Sequence, residues 1–145
     1  MQAVIAKLLA TGELDSVIIG EGRPQKELQA ANRHYESALR ILDSDPEGAF
    51  QLLYDSARKA LQALLAAEGI RVRRPPNGNH YTFVKVANGG FVDEQVWAPL
   101  DWMRKVRNQT EYPEPESLPA SATDARQALI HVATMLEDAK ARLAK

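Results

Sequence analysis

The chain has 145 residues, no cysteine, and 18 basic against 19 acidic residues, for a formal net charge of -1. That length suits one domain over residues 1–145 with a core that needs no cross-links, and the missing thiols exclude disulfides, thiolate metal sites and cysteine nucleophiles. The balanced charge argues against a general nucleic-acid coat, because attraction to polyanions must then come from a local patch.

The first segment, "MQAVIAKLLATGELDSVIIG", is apolar only in short pieces and is broken by Lys7, Gly12, Glu13 and Asp15. It resembles neither a secretory leader nor a span of roughly 20 apolar residues. It predicts a short helix over about residues 2–10 and a linker to residue 23, in a cytoplasmic protein with no membrane partner. After Pro24, a 3.6-residue period in Leu28, Ala31, Tyr35, Leu39 and Leu42 predicts the first long helix. In "DSDPEG", Asp45 can cap and Pro46 can open the next, with an inner stripe of Phe50, Leu53, Ala57, Leu61 and Leu64 and a left-handed stop at Gly69. This is the expected central helix.

Residues 70–94 form a join longer than a compact domain normally leaves bare. Its middle, "NHYTFVKVAN", is expected as a short helix or an irregular lid. A third long helix is expected over residues 94–112 with Val96, Leu100, Met103 and Val106 inside, its early part disturbed by Pro99. "YPEPESLP" is a turn-rich connector. Ser121 and Asp124 then fit a capping box, opening a last helix that buries Ala125, Leu129, Val132, Leu136, Ala139 and Leu143. No stretch alternates as a strand, so the expected class is all-α: an antiparallel four-helix up-and-down bundle over residues 24–145 with the N-terminal helix leaning on it.

Several residues carry chemistry. Ser56 and Lys59 match a Ser-x-x-Lys nucleophile pattern, but the companion motifs are missing, which favours a plain helix surface. His34, His80 and His131 lack metal-ligand spacing, and no phosphate-binding loop or dinucleotide fingerprint is present, so no metal and no cofactor is expected. His34 and His131 flank apolar stripes and read as half-buried packing residues, whereas His80 lies in the long join and is free to serve a site. "RVRRPP" gathers Arg71, Arg73 and Arg74, which suits phosphate contact or simply the negative end of the preceding helix.

In "RKVRNQTEYP", 100° per residue puts Arg107 about 20° from Val96, inside the apolar stripe. Glu111 follows on nearly the same side, Asn108 and Tyr112 form a second i, i+4 pair, and Arg104 stands between the two faces. Two readings remain open: Glu111 is the internal partner that an inward arginine needs, or Arg107, Asn108 and Tyr112, with Arg104, grip a phosphate or ribose.

Over residues 24–142 the chain resembles the HEPN domains, and especially their short stand-alone bacterial forms. "DPEGAFQLLYDSARKALQALLAAEGIRVR" is similar to the family's long helix with its D-x-A-x-K-A-L core, and "GNHY" falls in the loop before the motif helix. "RNQTEY" matches the family motif of Arg, often followed by Asn, and then His after four to six residues: Arg107 and Asn108 are in place, and Tyr112 stands where the histidine would be. The resemblance implies a homodimeric helical bundle. It also implies either RNA or nucleotide binding with a degenerate nuclease motif, within a toxin–antitoxin or phage-defence module beside a nucleotidyltransferase, or metal-independent endoribonuclease activity leaving 2′,3′-cyclic phosphates. A tyrosine ordinarily titrates near 10 and is a poor stand-in for imidazole, so His80 is the alternative source of acid–base chemistry. A third expectation is a purely structural or partner-binding bundle held by an Arg107–Glu111 bridge.

Overall fold

The computed structural model describes residues 2–145. Its elements in order are α1 (Ala3–Thr11), β1 (Leu14–Ser16), α2 (Arg23–Ile41), α3 (Pro46–Ala67), β2 (Ile70–Val72), α4 (His80–Ala87), α5 (Glu94–Trp97), α6 (Pro99–Glu111) and α7 (Ala122–Leu143). About two thirds of the chain is helical.

The helix ends follow from local chemistry. The Asp45 carboxylate accepts from the Gly48 N–H at 2.9 Å to open α3, and Gly69, at φ 72°, turns the chain away beyond its end. Ser121 and Asp124 cap α7 reciprocally at 3.0 and 3.1 Å. Pro99, which cannot donate, divides the expected third helix into the single turn α5 and the longer α6.

α3 is central: 12 of its 22 residues are buried, more than one face can supply, and it packs against α2, α6 and α7. The buried alanines Ala31 and Ala38 on α2, Ala57 and Ala60 on α3, and Ala128 and Ala139 on α7 let the backbones approach closely. Around them pack Phe50, Leu53, Leu61, Leu100, Met103 and Met135. Trp97 is fully buried, and its indole N–H donates to the Asp138 carboxylate at 2.8 Å, fixing α5 to α7. On α2 the buried stripe is centred on Ala31 and Ala38. Leu39, expected inside, is 42% exposed because it stands about 80° from Ala31 around the helix.

The expectation of no strand is corrected. β1 and β2 pair antiparallel, with Leu14 opposite Val72, Asp15 opposite Arg71 and Ser16 opposite Ile70. Flanking bonds from Val17 N–H to the Gly69 carbonyl (2.8 Å) and from Arg73 N–H to the Glu13 carbonyl (3.0 Å) lengthen the ribbon. The segment over residues 70–94 is thus mostly ordered structure: a strand, a turn, and the helix α4 where "NHYTFVKVAN" stands.

Candidate functional site: an arginine-lined groove

The floor of the site comes from α3. Arg58, Gln62 and Ala66 follow one another at four-residue steps, so they share a face, and that face lies open as a groove of about 1170 Å³. One wall is the segment from Val17 to Gly20 with Arg23 and Glu27 of α2. The opposite wall is the start of α4 and the end of α6, with β2 and the arginines after it closing one side.

Glycine sets the position of α4. A Cβ at Gly78 would stand 2.3 Å from the Arg73 carbonyl oxygen and 2.8 Å from that of Glu13, so only a residue without a side chain lets the turn press on the ribbon. Asn79 and Thr82 then cap α4 reciprocally. Lys85 and the Thr82 hydroxyl both bond the Glu13 carboxylate, at 2.9 and 3.2 Å. These contacts hold His80 against the groove, where its ring lies 5.6 Å from that of Tyr54.

Among the described residues the groove is lined by six arginines, at positions 23, 58, 71, 73, 74 and 107, and by one carboxylate, Glu27. A chain with a net charge of -1 therefore concentrates positive charge in one place. Glu27, its side chain 11% exposed, is already engaged, accepting from Arg23 at 2.9 Å and from Gln62 at 2.6 Å. Arg71 is an exposed cross-strand partner of Asp15 at 3.1 Å. Arg73, Arg74 and Arg107 have no carboxylate partner among the described residues.

Arg107 does turn inward, but not onto Glu111. The Glu111 carboxylate accepts instead from the Gln51 amide, and the anticipated internal ion pair is absent because α6 presents that carboxylate to the first turns of α3. Arg107 keeps a single long bond, to the Asn108 side-chain oxygen at 3.4 Å, and its Nε is buried without a partner. Arg58 is alike: its Nε is buried and unpartnered, its outer edge stands 3.5 Å from Asp55, and its guanidinium lies over the Phe83 ring at 5.7 Å. Buried polar groups in folded proteins are nearly always paired, so both side chains are incompletely satisfied by the acceptors of the chain itself.

Electrostatics follow from this crowding. Burial, reinforced by the charges of Arg58 and Arg107, pushes the His80 imidazole below its ordinary value, with only Asp55 opposing. His80 is therefore neutral at pH 7 and able to accept a proton. Burial pushes the Tyr54 phenol up to about 12 despite the same arginines, which makes it a wall rather than a base.

Of the sequence candidates, His80, Asn108, Tyr112, Arg71, Arg73, Arg74 and Arg107 come together here. Tyr112 ends α6 at the rim, 71% exposed, with its N–H donating to the Asn108 carbonyl at 2.8 Å. Arg104 stands outside the groove, held by Asp101 at 3.1 Å and stacked on Tyr81 at 4.9 Å. Ser56 is buried and donates to the Ala31 carbonyl at 2.7 Å, so it serves packing and not nucleophilic attack. His34 and His131 are half-buried away from the groove, His131 lying edge-on to Trp102 at 6.1 Å. Sequence reasoning missed Arg58, although the angular test applied to Arg107 would have found it: Arg58 lies about 20° from the buried Leu65 around α3.

Among the described residues no group of three or more potential metal ligands converges, and no helix is long and apolar enough to cross a membrane. Comparison of the chain with protein-family models, with curated proteins and with solved structures returns no significant match.

Proposed function

We propose that this is a HEPN-like cytoplasmic protein in which α2, α3, α6 and α7 form the four-helix bundle and the arginine-lined groove binds RNA or a nucleotide by its phosphates. The observation that carries the reading is the convergence of Arg107 and Asn108 with Arg58, Arg73 and Arg74 in one groove beside a neutral His80. Guanidinium forks match phosphate oxygens in geometry and charge, and Tyr112 at the rim offers a ring on which a base can stack. Within the wider reading, the protein is a homodimer and works with a nucleotidyltransferase partner in a toxin–antitoxin or phage-defence module.

The test is binding of single-stranded RNA to purified protein in EDTA across a salt series. Four arginines of the groove, Arg58, Arg73, Arg74 and Arg107, are free or only weakly paired. A slope of log K against log salt near -0.7 per phosphate then gives roughly -2 to -3. Arg107→Ala should weaken binding, and a wild-type protein that retains no RNA or nucleotide at low salt overturns the proposal.

A second reading is favoured by one observation, the neutral imidazole in the same groove as two weakly paired guanidiniums. In it the protein is a metal-independent endoribonuclease. His80 accepts the proton of a 2′-hydroxyl as that oxygen attacks the adjacent phosphorus, Arg107 holds the phosphate, and the P–O5′ bond breaks to give a 2′,3′-cyclic phosphate and a 5′-hydroxyl that takes its proton from water, after which His80 releases its own to solvent. Cleavage that persists in His80→Ala, or products without cyclic ends, rules this out. Tyr112→His should create or raise cleavage if the rest of the motif is competent.

A further inference from the structure

The arginines of the groove are of two kinds. Arg71, Arg73 and Arg74 are exposed on and after β2, with Arg71 already bonded to Asp15. Arg58 and Arg107 come from α3 and α6, are half-buried, and each has its Nε sealed from solvent without a partner. Their only polar side-chain contacts are at the long limit, 3.5 Å to Asp55 and 3.4 Å to Asn108. Both line the same groove as His80, so the two charges face one space. The nearest negative charge is Asp55, at the long limit from Arg58 alone, and the carboxylate of Glu27 is taken by Arg23 and Gln62, so two guanidiniums share at most one distant carboxylate.

Two half-dehydrated like charges around one space are unfavourable until an anion enters it. A phosphodiester offers one charge and two terminal oxygens. A phosphomonoester offers three terminal oxygens and a charge of about -1.5 to -2 near neutrality, which matches two guanidinium forks. We propose that Arg58 and Arg107 form a two-armed seat for a terminal phosphomonoester, so that the groove takes its ligand by a phosphorylated end while the outer arginines hold the following diesters. This rests on the phosphate-binding reading above and narrows its ligand class to end-phosphorylated strands and nucleoside monophosphates.

The experiment uses 2′-O-methyl RNA hexamers, which cannot undergo attack by the 2′-oxygen, carrying a 5′-phosphate, a 3′-phosphate or hydroxyl groups at both ends. Affinities are measured by fluorescence anisotropy at fixed salt for the wild type, Arg58→Ala, Arg58→Lys, Arg107→Ala and Arg73→Ala, each checked for folding by circular dichroism. The expected result is that one of the phosphorylated ends binds at least about tenfold more tightly than the hydroxyl form, and which end does so identifies the direction of the strand. Arg58→Ala and Arg107→Ala remove that preference, Arg58→Lys restores only part of it, and Arg73→Ala weakens all three hexamers alike. Equal binding of the three hexamers, or an Arg58→Ala protein that keeps the end preference, overturns the seat while leaving the groove as a phosphate-binding surface. Failure of every hexamer and of nucleoside monophosphates to bind overturns both.

Discussion

Replacing Arg107 by methionine should make the protein more stable while abolishing ligand binding. The structure supplies the magnitude. In the folded chain Arg107 has a buried Nε without a partner and one neutral bond stretched to 3.4 Å. Leaving a buried donor unsatisfied costs about 1–3 kcal/mol, whereas a poor hydrogen bond to a neutral oxygen returns about 0.5 kcal/mol. Methionine keeps most of the apolar stem packing and removes the orphan donor, so the net gain is about 1 kcal/mol, or roughly 3–4 °C in Tm for a domain of this size. Urea unfolding followed by circular dichroism measures it, with an unchanged m-value confirming that the folded and unfolded states are comparable. Arg58→Met should behave similarly, and the double variant should gain less than the sum, because either single change already relieves the repulsion between the two. An Arg107→Met protein destabilised by about 1 kcal/mol or more would refute the reasoning, since Arg107 would then be a satisfied structural residue and not an arginine held in readiness for an anion.

Two further perturbations test how the groove is built. Gly78→Ala places a methyl group 2.3 Å from a backbone carbonyl oxygen, so the turn must shift; a loss of about 1–3 kcal/mol is expected, together with faster hydrogen exchange in α4, and stability equal to wild type would mean that the ribbon does not position α4. His80 and His34 both titrate below their ordinary value, chiefly through burial. The folded state therefore binds fewer protons than the unfolded one as pH falls below about 6.5. Stability is full above that pH and declines as pH falls through the window between 6.5 and the depressed folded values. His80→Gln should flatten part of that decline in urea midpoints between pH 7.5 and 5.5, and an unchanged slope would show that His80 is not held neutral.

The long helices were legible because 3.6-residue periodicity is expressed over many turns, and because Asp45, Ser121 and Asp124 mark their starts with side chains whose bonds the structure contains. The ribbon was not, since three residues per strand give no measurable alternation, and its partners are 56 positions apart at Asp15 and Arg71. Arg107 was legible as inward-facing from its angle on the helix alone. Its partner was not, because angle on one helix cannot say which neighbouring helix captures Glu111, and Gln51 of α3 does so. Arg58 was overlooked although the same angular test applied to it, and the gathering of Arg58, His80 and Arg107 depends on where α4 docks, a tertiary fact fixed by Gly78 and Glu13.

The placement of charge follows from which part of α3 is covered. α6 meets the N-terminal half of that helix, through Trp102 on Phe50 and Glu111 on Gln51, and at 13 residues it is far shorter than α3 at 22. Beyond that contact the stripe of α3 from Arg58 to Ala66 is flanked by α2, through the Gln62–Glu27 bond, and by α4, through Phe83 on Arg58, and lies open as the groove between them. An apolar stripe there would be a sticky groove, and a conventional ion-paired one would be closed. The chain instead lines it with arginines of which, among the described residues, Arg23 and Arg71 have close carboxylate partners and Arg58 a distant one. With a net charge of -1 and screening over about 8 Å at physiological salt, such a surface gains little from long-range steering. On the phosphate-binding reading proposed above, affinity comes from contacts made inside the groove, where partly dehydrated guanidiniums attract an anion most strongly.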